Sequence, residues 1–171
     1  MVNAPTYALD KALALLFKRH VPRSPHSIQN SLQLKSELDK LHIPDDYKLV
    51  SFDVVSLFTN ISFDLIIFAK KRKWKFLKSF LPLKRQEFLN GIILLLNSAY
   101  FQFNNQFYKQ ILGDPMVFCT SPWFAEIILE YLEIKCLNRL KSSVMFYKRY
   151  VDDSFSIIKS NKIEHALSVF N

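Results

Sequence analysis

Two apolar and aromatic runs, far apart in the chain, each bring an aspartate to the end of an extended segment, and this restricts the fold more than any other feature. The first, Lys48-Leu49-Val50-Ser51-Phe52-Asp53-Val54-Val55, is rich in β-branched and aromatic residues, as strands are. The second, Phe146-Tyr147-Lys148-Arg149-Tyr150-Val151-Asp152-Asp153-Ser154-Phe155-Ser156-Ile157, reads as two strands meeting at adjacent acids. Adjacent aspartates alone are a weak signal. Asp caps nearby backbone N–H groups, so a plain hairpin with Asp152-Asp153 as its turn explains the second run equally well. Asp53 favours a site, because the large apolar residues around it would otherwise exclude a charge. Carboxylates so placed need a cation, and since Asp53 and Asp152 lie 99 positions apart, only a folded sheet can unite them.

The rest of the chain supplies that sheet with helices. Residues 7–18 place Leu9, Leu13, Leu16 and Phe17 at helical spacing, and 27–41 repeat the pattern with Ile28, Leu32, Leu38 and Leu41. Pro22 and Pro25 separate the two. A helix is expected from Ser62 through the basic run 70–78, and another over 83–99 after Pro82. Tyr100-Phe101-Gln102-Phe103, Asn104-Asn105 and Gln106-Phe107-Tyr108-Lys109 form a hairpin signal. Residues 122–140 read as a helix with Trp123, Ile127, Glu130 and Ile134 along one side, and a short final helix covers 162–170. The fold class expected is α+β, an antiparallel sheet with packed helices, in one domain over 1–171: a helical lead-in over 1–46, then 47–171 carrying the sheet.

Charge narrows the partners. Lys and Arg number 23 against 15 Asp and Glu, a formal +8 with pI near 9.5, so the field of the chain attracts polyanions. Nucleic acid is the first candidate and an acidic membrane surface the second. Cys119 and Cys136 have no CxxC spacing, which argues against a disulfide framework or a zinc site and suits a reducing, intracellular setting. His20, His26, His42 and His165 are scattered, as surface or helix-end histidines are. The longest aliphatic run, 92–96, is far short of the roughly 20 residues of a membrane-spanning helix, so no membrane partner is expected.

Paired carboxylates at strand ends are what nucleotidyl transfer requires. Two Mg²⁺ ions about 4 Å apart steady the attacking and leaving oxygens, and carboxylate oxygens are the hard ligands that Mg²⁺ prefers. Leu49-Val50-Ser51-Phe52-Asp53-Val54-Val55-Ser56-Leu57-Phe58-Thr59-Asn60-Ile61 resembles the first catalytic motif of Penelope-like retroelement reverse transcriptases, and Arg149-Tyr150-Val151-Asp152-Asp153 resembles their third. Ala4-Pro5-Thr6-Tyr7-Ala8-Leu9-Asp10-Lys11, Gln29-Asn30-Ser31 and Ser98-Ala99-Tyr100-Phe101-Gln102-Phe103-Asn104 extend the similarity over nearly the whole chain.

The resemblance implies a polymerase palm-like fold with partial fingers and no thumb. It also implies RNA-directed DNA synthesis with two Mg²⁺ (or Mn²⁺), an RNA or DNA template with primer, and deoxynucleoside triphosphates. Asp53, Asp152 and Asp153 would be the catalytic metal ligands. Val54, Phe58, Gly113 and Pro115 would face the nucleotide, with Phe58 crowding out a 2′-hydroxyl; a core phenylalanine is the alternative for Phe58. The middle motif departs from the family's Gly-x-Pro-Met-Gly-Ser-Pro-Leu-Ser-Pro pattern: here it is Gly113-Asp114-Pro115-Met116-Val117-Phe118-Cys119-Thr120-Ser121-Pro122. Val117 and Phe118 are expected to add bulk where base and sugar lie. Finger residues ahead of Ala4, and palm, thumb and often a GIY-YIG nuclease after Asn171, are expected of relatives, so the chain reads as a truncated or degenerate copy, inactive alone. Two other readings stay open: a non-catalytic, basic nucleic-acid-binding remnant, and a basic α+β interaction module whose aspartates cap turns. The basic run 70–78 suits template phosphates and a solvated helix face equally.

Overall fold

The computed structural model describes residues 4–171, the side chain of Lys70 excepted. In chain order the elements are α1 (Tyr7–His20), α2 (Ser31–Leu38), β1 (Tyr47–Asp53), α3 (Leu57–Asn60), α4 (Phe63–Leu77), α5 (Arg85–Asn97), β2 (Tyr100–Phe103), β3 (Gln106–Lys109), α6 (Ser121–Arg139), β4 (Val144–Tyr150), β5 (Asp153–Lys159) and α7 (Ile163–Phe170). They form two compact units. The helical unit comprises residues up to Arg23 together with Ser56–Ile128, and the sheet unit comprises Ser24–Val55 and Leu129–Asn171.

The helical unit is organised around Phe17, which is fully buried and meets Phe88 and Phe124 edge-on at centroid distances of 6.3 and 6.0 Å. Such aromatic contacts add about 0.5–1.5 kcal/mol each beyond the area they bury. Ile66, Leu77, Ile92 and Leu96 are buried in the same unit, and Leu95 packs with Ala99 and Phe118. Ser62 caps α4 by accepting a hydrogen bond from the Leu65 N–H at 3.2 Å, which starts the helix where the sequence indicates. The β2–β3 hairpin turns on Asn104 and Asn105, both with positive φ (48° and 59°), the type I′ geometry that Asn tolerates. Every residue of its two strands is exposed.

In the sheet unit, β5 is the central strand of an antiparallel sheet ordered β1-β5-β4. Leu140, Ile158 and Ala166 form its buried centre, with Val50, Phe52, Val144, Ile163, Val169 and Phe170 packed around them. Both sheets are antiparallel and the chain mixes helix with sheet, as expected.

Four local expectations need correction. The second helix begins only at Ser31, because Asn30 caps it and the preceding segment pairs with β4 instead: Arg149 N–H donates to His26 O at 2.8 Å and Ile28 N–H to Arg149 O at 2.9 Å. The buried stripe of α1 is Asp10, Leu13 and Phe17, with an acid inside it. On α6 the buried positions include Phe124, Ala125, Ile128, Leu129 and Glu133, whereas Ile134 is exposed. The β4–β5 turn is Val151-Asp152, one residue earlier than expected, because Asp153 already pairs with Tyr150 on one side and Asp53 on the other.

Candidate active site

The sheet unit holds all three aspartates at one end of its sheet. Asp53 ends β1, Asp153 begins β5, and the two are direct register partners. Residues directly opposed on antiparallel strands have Cβ atoms about 4.5–5.5 Å apart on the same face. Asp152 sits in the turn, and its carbonyl accepts a hydrogen bond from the Val54 N–H at 3.2 Å, tying the residue after Asp53 to the β4–β5 loop. Desolvation is not what asks for a cation here, contrary to the sequence argument. Asp53 and Asp153 are exposed and Asp152 is half-buried, because strand alternation turns Phe52 inward and Asp53 outward. The demand comes from like charge: two carboxylates face each other, a destabilising arrangement, and no Lys or Arg forms an ion pair with any of the three among the described residues.

Hard oxygen donors from two adjacent strands and their turn are chemically suited to Mg²⁺ or Mn²⁺. Among the described residues no three His, Cys, Asp or Glu side chains already converge as a ligand set, so Asp152 would have to turn toward the facing pair.

Sequence reasoning missed what holds the turn. Val151 has φ 55°, and Asp152 is not among the residues with positive φ, so the loop is of the type that prefers glycine at its first position. A β-branched residue there is an outlier costing on the order of 1–3 kcal/mol. Arg149 holds it in place. Its guanidinium is buried, donates to Val151 O at 2.9 Å through one terminal nitrogen, and donates to Glu133 Oε1 through Nε. Glu133 in turn accepts from Ser24 Oγ at 2.8 Å and from the Tyr147 hydroxyl at 3.3 Å. Burial pushes the Tyr147 phenol well above its usual range, and Glu133 beside it adds to the rise. The legible signal was alternation in β4: Tyr147 and Arg149 share the inward face, and a buried arginine requires an acid.

Of the nucleotide-facing candidates, Val54 lies half-buried in the sheet unit, while the helical unit brings Phe58 against the Gly113-Asp114 turn. Asp114 N–H donates to Phe58 O at 2.7 Å. Gly113 has φ 77°, and a Cβ there would stand 2.9 Å from Thr59 Cα, so the loop meets α3 this closely only with glycine. Phe58 itself is half-buried, and Pro115 is buried, its carbonyl accepting from the Ser121 hydroxyl. Phe118 corrects an expectation: its ring is buried against Leu95 and Ala99 rather than left in a cleft, so the exposed bulk of this loop is Met116 and Val117. Asp10 fixes the loop from α1. Its carboxylate accepts from the Cys119 N–H at 2.6 Å, the Thr120 N–H at 3.1 Å and the Thr120 hydroxyl at 2.8 Å. Burial, with Asp10 next in effect, raises the Cys119 thiol above its usual value.

This architecture has solved counterparts. Over 97% of its length the chain matches the apo telomerase of Candida tropicalis truncated from the C-terminal domain, with TM-score 0.63 and 11% identity. Over 95% it matches the telomerase of Candida albicans in complex with a TWJ fragment of telomeric RNA, with TM-score 0.57 and 14% identity. The chain shares its fold with these two telomerases. The chain spans 36% and 31% of those two proteins' lengths, and at such identity the likeness is one of fold. No protein-family model and no curated protein matches the sequence. None of the helices described is long and apolar enough to cross a membrane.

Proposed function

We propose that this chain is the core of an RNA-directed DNA polymerase domain from a Penelope-like retroelement, with Asp53, Asp152 and Asp153 as its metal-holding carboxylates. The observation that carries the reading is the register of Asp53 against Asp153 beside the strained Val151-Asp152 turn, with no ion pair to any of the three aspartates among the described residues. Two Mg²⁺ ions, when bound, supply charge stabilisation for the attacking and leaving oxygens of phosphoryl transfer. The chain's own residues orient and exclude. Val54, through its N–H, fixes the loop that presents Asp152. Phe58, five residues after Asp53, is the candidate for contact with the sugar of a deoxynucleoside triphosphate, and the Gly113-Asp114-Pro115 turn fixes the backbone carbonyl of that same phenylalanine. The template with its primer is RNA or DNA.

A second reading, a non-catalytic remnant that binds nucleic acid, draws on the middle loop. Val117 stands 63% exposed where the family resemblance calls for glycine. Primer extension separates the two when fingers and thumb of an active relative are grafted onto this core. Because Phe118 is a core side chain, the informative repair is Val117→Gly alone. We expect no detectable extension by the 171-residue chain, weak extension by the graft, and a gain on the order of a hundredfold on repair, since misplacement by about 1 Å costs that much. Robust synthesis by the ungrafted chain, or synthesis that survives Asp152→Asn, contradicts the proposal.

A further inference from the structure

The excess charge of the chain belongs entirely to one unit. In the helical unit thirteen Lys and Arg stand against five Asp and Glu, a difference of +8, while the sheet unit has ten of each and nets zero. Two of the five acids, Asp10 and Asp114, are buried in hydrogen bonds, so the outer surface of the helical unit is more one-sided still.

Within that unit α4 carries the densest run. Ile66, Ala69, Lys73 and Leu77 turn inward, and Trp74 lies against Phe88 at 5.2 Å. Lys71 and Lys75, with Lys78 at the C-cap, are exposed at i, i+4 and i+7, one stripe on the opposite side, and none forms an ion pair among the described residues. The stripe is about 10 Å long at 1.5 Å rise per residue, the distance over which a nucleic-acid strand advances by about three phosphates. Phe68 borders it, 40% exposed, with the Arg72 guanidinium 6.0 Å above its ring, so an aromatic ring and a fourth cation lie next to the stripe. An anionic membrane fits less well, because Ile66, Ala69 and Leu77 of α4 are already buried in the core, leaving little beyond Phe68 to insert.

We infer that the Lys71-Lys75-Lys78 face of α4 is a sequence-independent binding surface for the phosphodiester backbone of RNA or DNA. The inference rests on the chain being a nucleic-acid-handling domain but not on its carboxylates, so binding measured in EDTA tests it apart from the metal site.

The experiment is fluorescence anisotropy of the full chain with short mixed-sequence single-stranded RNA, single-stranded DNA and duplex, each titrated with NaCl. Log affinity should fall linearly with log salt. Lys71→Gln/Lys75→Gln/Lys78→Gln should weaken binding roughly tenfold or more and flatten the slope by about 2–3, each lost phosphate contact contributing about 0.7–0.9. Lys35→Gln/Lys40→Gln/Lys162→Gln, which removes equal charge from the sheet unit, should leave both quantities near parental. Replacing the three α4 lysines with arginine should preserve binding, which separates lost charge from a fold defect. Equal losses in the two glutamine triples, loss in the arginine triple, or a preference for phosphatidylserine vesicles over all three oligonucleotides would overturn the assignment.

Discussion

The helical unit packs three aromatic rings among aliphatic side chains, buries Asp10 under one loop and displays a surplus of eight positive charges, whereas the sheet unit balances its charges and buries an arginine, a glutamate, a tyrosine hydroxyl and a serine in one network. The contrast assigns different work to each. Aromatic packing leaves the helical surface free to be cationic. The sheet unit spends its polar burial on holding one strained turn and leaves three carboxylates at a sheet end with no ion-pair partner among the described residues. Strain at Val151 and like charge at Asp53–Asp153 are both costs to folding, and both fall at the candidate site.

The comparison breaks most readily at Arg149. Arg149→Met should destabilise the sheet unit by about 3–5 kcal/mol, because Glu133 is left buried without its partner. Adding Glu133→Leu should recover much of that loss. Urea melts of the single and double variants measure this, and a double variant no more stable than the single would mean that the network acts through shape rather than charge.

Gly113→Ala probes the helical unit. The added Cβ meets Thr59 Cα at 2.9 Å and φ is 77°, so a loss of about 2–3 kcal/mol is expected in the same melts. A neutral outcome would show that the loop has room to move away from α3. Smaller still is Val151→Gly, which places glycine where the turn prefers it and should raise stability by about 1 kcal/mol. A loss instead would mean that Arg149 and the Val54–Asp152 bond have relaxed the turn around valine.

Much of this was legible because period and punctuation agreed. Asn104-Asn105, Ser62 and the aspartate-ended strands each marked an element that the structure contains. Boundaries slipped where tertiary pairing outweighed local pattern, as when Ser27, flanked by His26 and Ile28, bridged to Arg149 of β4 rather than joining α2. Phe118 reads the same whether it lines a cleft or a core, and only the neighbouring Leu95 and Ala99 distinguish them. Asp10 and Arg149 were readable in principle, as charged residues on otherwise inward positions, yet their partners lie more than a hundred residues away for Asp10 and sixteen for Arg149. Local spacing does not reveal such pairs.

Thermal unfolding of the parent, Asp53→Asn and Asp152→Asn with and without Mg²⁺ tests the central claim most directly. Without metal, Asp53→Asn should be at least as stable as the parent, because it removes one of two facing charges. With Mg²⁺ at about a hundred times its dissociation constant, the parent should gain on the order of 2.7 kcal/mol and both variants much less. A parent that gains no more than its variants, or an Asp53→Asn chain that is destabilised in the absence of metal, would contradict a shared carboxylate site.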